Sequence, residues 1–171
     1  MRRLNAKLSS IWLLTAFCFL FSPTVSFSVE RIQLPEFSLE DHQGTTYNIK
    51  DYVGKVVMVN FWATWCPPCI EEFPSMQALK ASLSDQNFEL LAINMGDNAA
   101  AISEFADSLE TEINFPLLLD ETMDVVNNWR VRGLPTTIIV DKTGRVAFFE
   151  TGPRDWFSDE MREKIAGFIA E

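Results

Sequence analysis

The stretch from Lys55 to Cys69 limits the possible folds more than any other part of the chain. Lys55-Val56-Val57-Met58-Val59-Asn60-Phe61 is short, rich in β-branched residues and almost continuously apolar, the pattern of a strand buried on both faces of a sheet. Trp62-Ala63-Thr64-Trp65 then leads into Cys66-Pro67-Pro68-Cys69. The two prolines suit the first turn of a helix, where a backbone N–H has no acceptor to lose. A buried strand running straight into a helix delivers Cys66 to the helix mouth. Unpaired N–H groups and the positive end of the helix dipole favour a thiolate there, so Cys66 is the expected nucleophile. Cys69, one turn further in, is the expected resolving sulfur, and the two-residue spacing brings the pair close enough to bridge.

Two other uses of such a pair fit less well. A zinc site needs about four nitrogen or sulfur ligands, and outside the pair the chain offers only Cys18 and His42. A purely structural disulfide closing so short a loop stabilises little, because the entropic gain grows with loop length.

The residues Phe61-Trp62-Ala63-Thr64-Trp65-Cys66-Pro67-Pro68-Cys69, followed by Glu71-Glu72-Phe73-Pro74, resemble the thioredoxin superfamily. More narrowly they are similar to the exported thiol:disulfide oxidoreductases of the TlpA/ResA (DsbE-like) type. The resemblance covers roughly Pro35 to the end. It implies an α/β thioredoxin fold, a central mixed sheet flanked by helices, with an N-terminal β-hairpin ahead of the core. It also implies that Leu134-Pro135, which precedes the apolar run Thr136-Thr137-Ile138-Ile139-Val140, is a cis bond beside the cysteines. The Leu134 backbone would then be free to pair with a substrate strand. Trp65 is expected on an apolar lip for substrate, so Trp65, Pro67, Pro68, Leu134 and Pro135 form the expected substrate-binding set.

Asn60 departs from the thioredoxin pattern, which has a buried Asp near the end of this strand. A neutral amide cannot take up and release a proton, so a general base must come from elsewhere. Glu72, three residues after Cys69, occupies the position that ResA-like proteins link to active-site proton handling, and it completes the catalytic set Cys66, Cys69 and Glu72. The plainer alternative is that Glu71 and Glu72 merely complement the helix dipole.

Met1 to Lys7 is basic and Ile11 to Phe21 is apolar over the length of a secretory signal, too short to span a bilayer comfortably. Residues 1–28 are therefore expected to be a signal peptide, with Val29 as the mature N-terminus; cleavage after Ser26 is one alternative and an uncleaved anchor through residues 11–21 another. Phe17 before Cys18 does not suit a lipoprotein signal. The folded part, 29–171, is expected in an extracytoplasmic, oxidising compartment such as a periplasm, as one thioredoxin-like domain with a hairpin at 34–54 and a core at 55–171. Loss of Arg2, Arg3 and Lys7 takes the net charge from -10 to -13. Such acidity argues against nucleic acid and against anionic membrane surfaces as partners.

Alternation on either side of Glu40-Asp41-His42-Gln43-Gly44 predicts the hairpin. His42 at its tip reads as plain surface. The spacing of Phe73, Met76, Leu79 and Leu83 predicts a helix from about Pro67 to Ser84, kinked at Pro74. Phe88 to Asn94 reads as a second buried strand, with Asp97 or Asn98 capping a helix through Ile102, Phe105 and Leu109. Phe115 to Asp120 is a further extended segment, and Thr122 is the expected cap of a short helix containing Val125, Val126 and Trp129. Asp141 to Gly144 is a hairpin turn leading to a strand from Arg145 to Thr151, Gly152-Pro153 ends the sheet, and residues 158–170 close the chain as an amphipathic helix. Trp62 reads as core.

The resemblance implies a reductant of client-protein disulfides, in cytochrome c maturation or copper-centre assembly. A membrane-embedded thiol donor would re-reduce it. No organic cofactor or resident metal is implied, and a monomer is expected. A disulfide-donating oxidant of the same fold and a Cu(I)-delivery module are the alternatives. A peroxidase is disfavoured, since Thr64-Trp65-Cys66 lacks the Thr-x-x-Cys spacing of peroxiredoxins.

Overall fold

A computed structural model describes residues 33–109 and 112–171; the expectations for the leader, Cys18 and Val29 lie outside them. No helix among the described residues is long and apolar enough to cross a membrane. The strands are β1 (Ser38–Glu40), β2 (Thr46–Asn48), β3 (Val56–Trp62), β4 (Phe88–Met95), β5 (Leu117–Asp120), β6 (Thr136–Val140) and β7 (Val146–Thr151). The helices are α1 (Pro67–Ser82), α2 (Ala99–Ser108), α3 (Asp124–Asn128) and α4 (Asp159–Ala170).

The five-stranded sheet has the order β5-β4-β3-β6-β7. β4 runs parallel to β3 and to β5, whereas β6 runs antiparallel to β3 and to β7. β3 sits in the middle with all seven residues buried, which is why its sequence is continuously apolar. β1 and β2 form the expected hairpin as a separate two-stranded sheet, with Gly44 at positive φ in its turn.

The pleat of β3 divides the core. Val56, Met58 and Trp62 face a layer that includes Phe73, Met76 and Leu79 of α1, Ile102 of α2, and Met161 and Ile165 of α4. Val57, Val59 and Phe61 face Val125 and Val126 of α3 and Phe37 of the hairpin region. On the first face Phe73 meets Trp62 edge-on at 5.0 Å and Phe115 at 5.6 Å. Each such pair adds about 0.5–1.5 kcal/mol beyond area burial, and together they fix α1, with its cysteines, against the sheet.

Several boundaries differ from expectation. α1 continues through Pro74 and stops at Ser82, two residues short of Ser84. The second hairpin strand gives way to a 3-10 turn over Ile49–Tyr52, started by the Asn48 side chain accepting from Lys50 N. Asn98, not Asp97, caps α2, accepting from Ala101 N at 3.0 Å. Ser158 caps α4. Thr122 does not cap α3; its hydroxyl binds the Asp124 side chain instead. The buried Asp120 does so from the end of β5, accepting from Val125 N at 3.3 Å and Val126 N at 2.9 Å. Met123 adopts a left-handed conformation (φ 60°) between them, which turns the first N–H groups of the helix back toward the strand.

Candidate active site

β3 ends at Trp62, and a tight turn follows in which Cys66 N bonds Ala63 O at 3.1 Å. Cys66 precedes the first residue of α1, and Pro67 and Pro68 fill the first turn as the spacing predicts. Cys66 and Cys69 are joined in a disulfide with Cα atoms 5.4 Å apart. Cys66 retains 5% exposure and Cys69 none, so the sulfur a partner can reach is that of Cys66. The turn is held from the side by Asp97, whose Oδ2 accepts from Thr64 N at 3.0 Å and from the Asn94 amide at 2.9 Å. Burial alone would raise the Asp97 carboxyl, but the Thr64 and Asn94 donors outweigh it and hold it below its usual value.

Glu72 is one turn beyond Cys69 on the same helix face. It is 2% exposed. Its Oε1 accepts from Arg154 N at 2.7 Å and from the Trp156 indole Nε1 at 2.8 Å. Burial is the dominant influence and pushes the carboxyl up to about 7, opposed by the bonds from Arg154 and Trp156 and by the nearby Asn60 amide, and assisted by the charge of Glu150. The first turn of α1 holds no acidic residue. Glu71 and Glu72 thus lie past the first turn, where a helix dipole is felt most. Asn60, fully buried on β3, donates its Nδ2 to Thr137 Oγ1 on β6 at 2.9 Å.

Leu134-Pro135 is cis, and Pro135 is buried immediately before β6. Hydrogen bonds around this turn use its neighbours: Gly152 N to Pro135 O at 2.9 Å and Thr136 Oγ1 to Gly133 O at 2.7 Å. Beside it opens a groove of about 620 Å³ walled by Trp65, Cys66, Pro67, Pro68 and Leu134, with Met95, Met123 and Val126 opposite. It lies at the carboxyl ends of the parallel strands β3, β4 and β5, where α/β sheets commonly bind ligands. Trp65 is 64% exposed at its rim, whereas Trp62 is buried as expected.

The structure therefore brings together Cys66, Pro67, Pro68, Trp65 and Leu134, with Pro135 behind the groove and Glu72 on the inner side of α1. His42 lies elsewhere, lining a groove with Asp41, Asp107 and Asn114. Among the described residues, no three His, Cys, Asp or Glu side chains gather as a metal site would require. Sequence reasoning missed Arg154 and Trp156 as partners of Glu72, and the groove residues Met95 and Met123. Only the placement of Trp156 just after the sheet-ending Gly152-Pro153 hinted that its loop returns over α1.

A thioredoxin fold with a bridged Cys-x-x-Cys at a helix mouth, facing a cis-proline turn, defines an enzyme of thiol–disulfide exchange. Residues 31–149 match the AhpC/TSA family, and the chain belongs to that family and, within it, to the ResA-type thiol-disulfide oxidoreductases of the thioredoxin superfamily. Thiol-disulfide oxidoreductase ResA of Geobacillus kaustophilus is 39% identical over 118 residues, 69% of this chain and 67% of the relative. That of Bacillus subtilis is 37% identical over 123 residues, 72% and 68% of the two chains. Among solved structures, a putative thiol:disulfide interchange protein DsbE from Chlorobium tepidum superposes with a TM-score of 0.74 at 25% identity, over 81% of this chain and 96% of that one.

Proposed function

We propose that this protein is an extracytoplasmic reductant of disulfides in client proteins. The observation that carries the reading is the pairing of an accessible Cys66, opening into an apolar groove, with a fully buried Cys69 backed by Glu72. In the dithiol form the Cys66 thiolate attacks a client disulfide, forming a mixed disulfide and releasing one client sulfur as thiolate. Glu72 takes the Cys69 proton, and the Cys69 thiolate then attacks Cys66. The Cys66–Cys69 bond forms, the bond to the client breaks, and the client leaves with both sulfurs reduced. The groove lip at Trp65 and the backbone at Leu134 hold the client strand during these steps.

Two electrons must then return to the oxidised pair. A membrane-embedded thiol donor supplies them in this reading, and no organic cofactor takes part. Export is supported by the basic and apolar pattern of residues 1–28, and the clients in this reading are proteins of cytochrome c maturation or copper-centre assembly. The protein works as a monomer.

The deciding experiment is the equilibrium reduction potential of the fragment from Val29, titrated against a thiol buffer. A value near or below about -250 mV supports a reductant. A value near about -120 mV, typical of strong periplasmic oxidants, overturns that reading and makes the protein a disulfide donor.

A further inference from the structure

Glu72 is held in an unsymmetrical way. Oε1 accepts two hydrogen bonds, from Arg154 N at 2.7 Å and from Trp156 Nε1 at 2.8 Å. Neither donor can act as an acceptor, so a proton on Oε1 would face two N–H groups and displace at least one of the two bonds. Oε2 has no hydrogen-bond partner, and neither does Oδ1 of Asn60; both atoms are buried. The Asn60 amide is near enough to the carboxyl to stabilise its charged form. An amide suits both protonation states, since Nδ2 can donate to a carboxylate and Oδ1 can accept from the protonated acid. Two unpaired buried oxygens would each carry a penalty, and one proton between them removes both.

We propose that the loop from Gly152 to Trp156 is a clamp that reserves Oε1 of Glu72 as a permanent acceptor, so that the proton enters and leaves only at Oε2, with Asn60 as its partner. The proposal rests on the reading that Glu72 serves Cys69, and it makes Trp156 and Asn60 positioning residues. The clamp is stitched to α1 a second time, through Trp156 N to Ser75 Oγ at 3.1 Å and Ser75 Oγ to Glu72 O at 2.8 Å. Trp156 is fully buried, which keeps water from replacing its N–H.

Other charged groups near the carboxyl are few. Glu150 on β7 is paired with the Arg154 guanidinium at 3.0 Å, which in turn feels Glu160 at the start of α4. Glu71 and Asp155 are exposed, on α1 and in the loop. β3 and β6 present the neutral Asn60 and Thr137, and Cys69 lies one turn back on α1. Among the described residues no cation pairs with the carboxyl, which leaves the two N–H donors as its main control.

The test compares wild type with Trp156→Phe and with a protein carrying 3-benzothienylalanine at position 156, which keeps the indole shape but lacks the N–H. The carboxyl stretch of Glu72, isolated by subtracting the Glu72→Gln spectrum, is titrated against pH in the oxidised protein. The rate of client release from Cys66 is measured over the same range. Loss of the donor should move the Glu72 midpoint upward by about one pH unit, a tenfold tighter proton, with the release profile moving alike. The shape-preserving replacement should reproduce the effect even if Trp156→Phe fails to fold. An unmoved midpoint in the benzothienyl protein overturns the clamp. A moved midpoint with a release profile that is the same in wild type and Glu72→Gln supports the clamp and overturns the assignment of Glu72 to Cys69.

Discussion

Arg154 turns its backbone, not its charge, to Glu72: the N–H donates to Oε1 at 2.7 Å, while the guanidinium pairs with Glu150 at 3.0 Å. The carboxyl is thereby given a dipole but no counter-charge, and burial prevails. A carboxyl lifted from 4.5 to about 7 binds its proton more tightly in the folded chain than in the unfolded one. The stability that Glu72 contributes is therefore fully present below about pH 4.5 and is lost as the pH rises through about 7, an expected total loss of about 3 kcal/mol. Glu72→Gln imitates the protonated acid and removes this slope. Urea unfolding should give similar stabilities for the two proteins at pH 4.5, with the variant more stable by up to about 3 kcal/mol at pH 8. A wild type no less stable than the variant at pH 8 would contradict the burial argument.

In the proposed cycle the more exposed sulfur, that of Cys66, attacks first. Cys69→Ser should accumulate a mixed disulfide between Cys66 and a client, seen as an adduct by mass spectrometry under non-reducing conditions. Cys66→Ser should trap almost nothing, because Cys69 is sealed from solvent. Equal trapping by both variants would refute the assignment of nucleophile and resolver.

Asp120 holds α3 with both carboxylate oxygens. Asp120→Ala leaves two buried N–H groups without acceptors and should cost about 1–3 kcal/mol in urea unfolding; Asp120→Asn, which keeps one acceptor, should cost less. Because Val126 and Asn127 of α3 line the groove, the alanine variant should also raise KM for a protein client while kcat changes little. A stability loss below 0.5 kcal/mol, by contrast, would mean that another group caps the helix.

Trp65 projects into solvent at the groove rim. Trp65→Ala should leave stability within about 0.5 kcal/mol of wild type, slow reaction with a protein disulfide several-fold, and leave the reaction with a small disulfide unchanged. Equal slowing of both would show that Trp65 acts on the sulfur chemistry and not on docking.

Much of this site could be read in the sequence because its elements are local. A buried strand, two prolines and the cysteine spacing fix the helix mouth within fifteen residues of chain, and the cap Asn98 acts on an N–H group three residues away. The cis bond at Pro135 followed from resemblance alone. What stayed hidden depends on the three-dimensional return of the chain. Trp156 meets Glu72 across 84 residues, and no periodicity or spacing signals such a contact. Thr122 is a good cap by residue type, yet it lost to Asp120 because the left-handed Met123 aims the helix start at the strand instead of at the turn. Asn60 looked like the loss of a proton carrier; its neighbour across the sheet and the helix above give an amide its use.

The groove beside Cys66 is built from four pieces of chain: residues 65–68 after β3, Met95 at the end of β4, Met123, Val126 and Asn127 after β5, and residues 131–134 before β6, while β3 beneath them presents no side chain to the surface. Substitutions can accumulate at Met95, Met123 or Arg132 without touching the Cys66–Cys69 pair at the mouth of α1 or the strand that leads into it. Such modularity lets a lineage exchange one client for another by small steps, each intermediate still folded and still able to pass electrons.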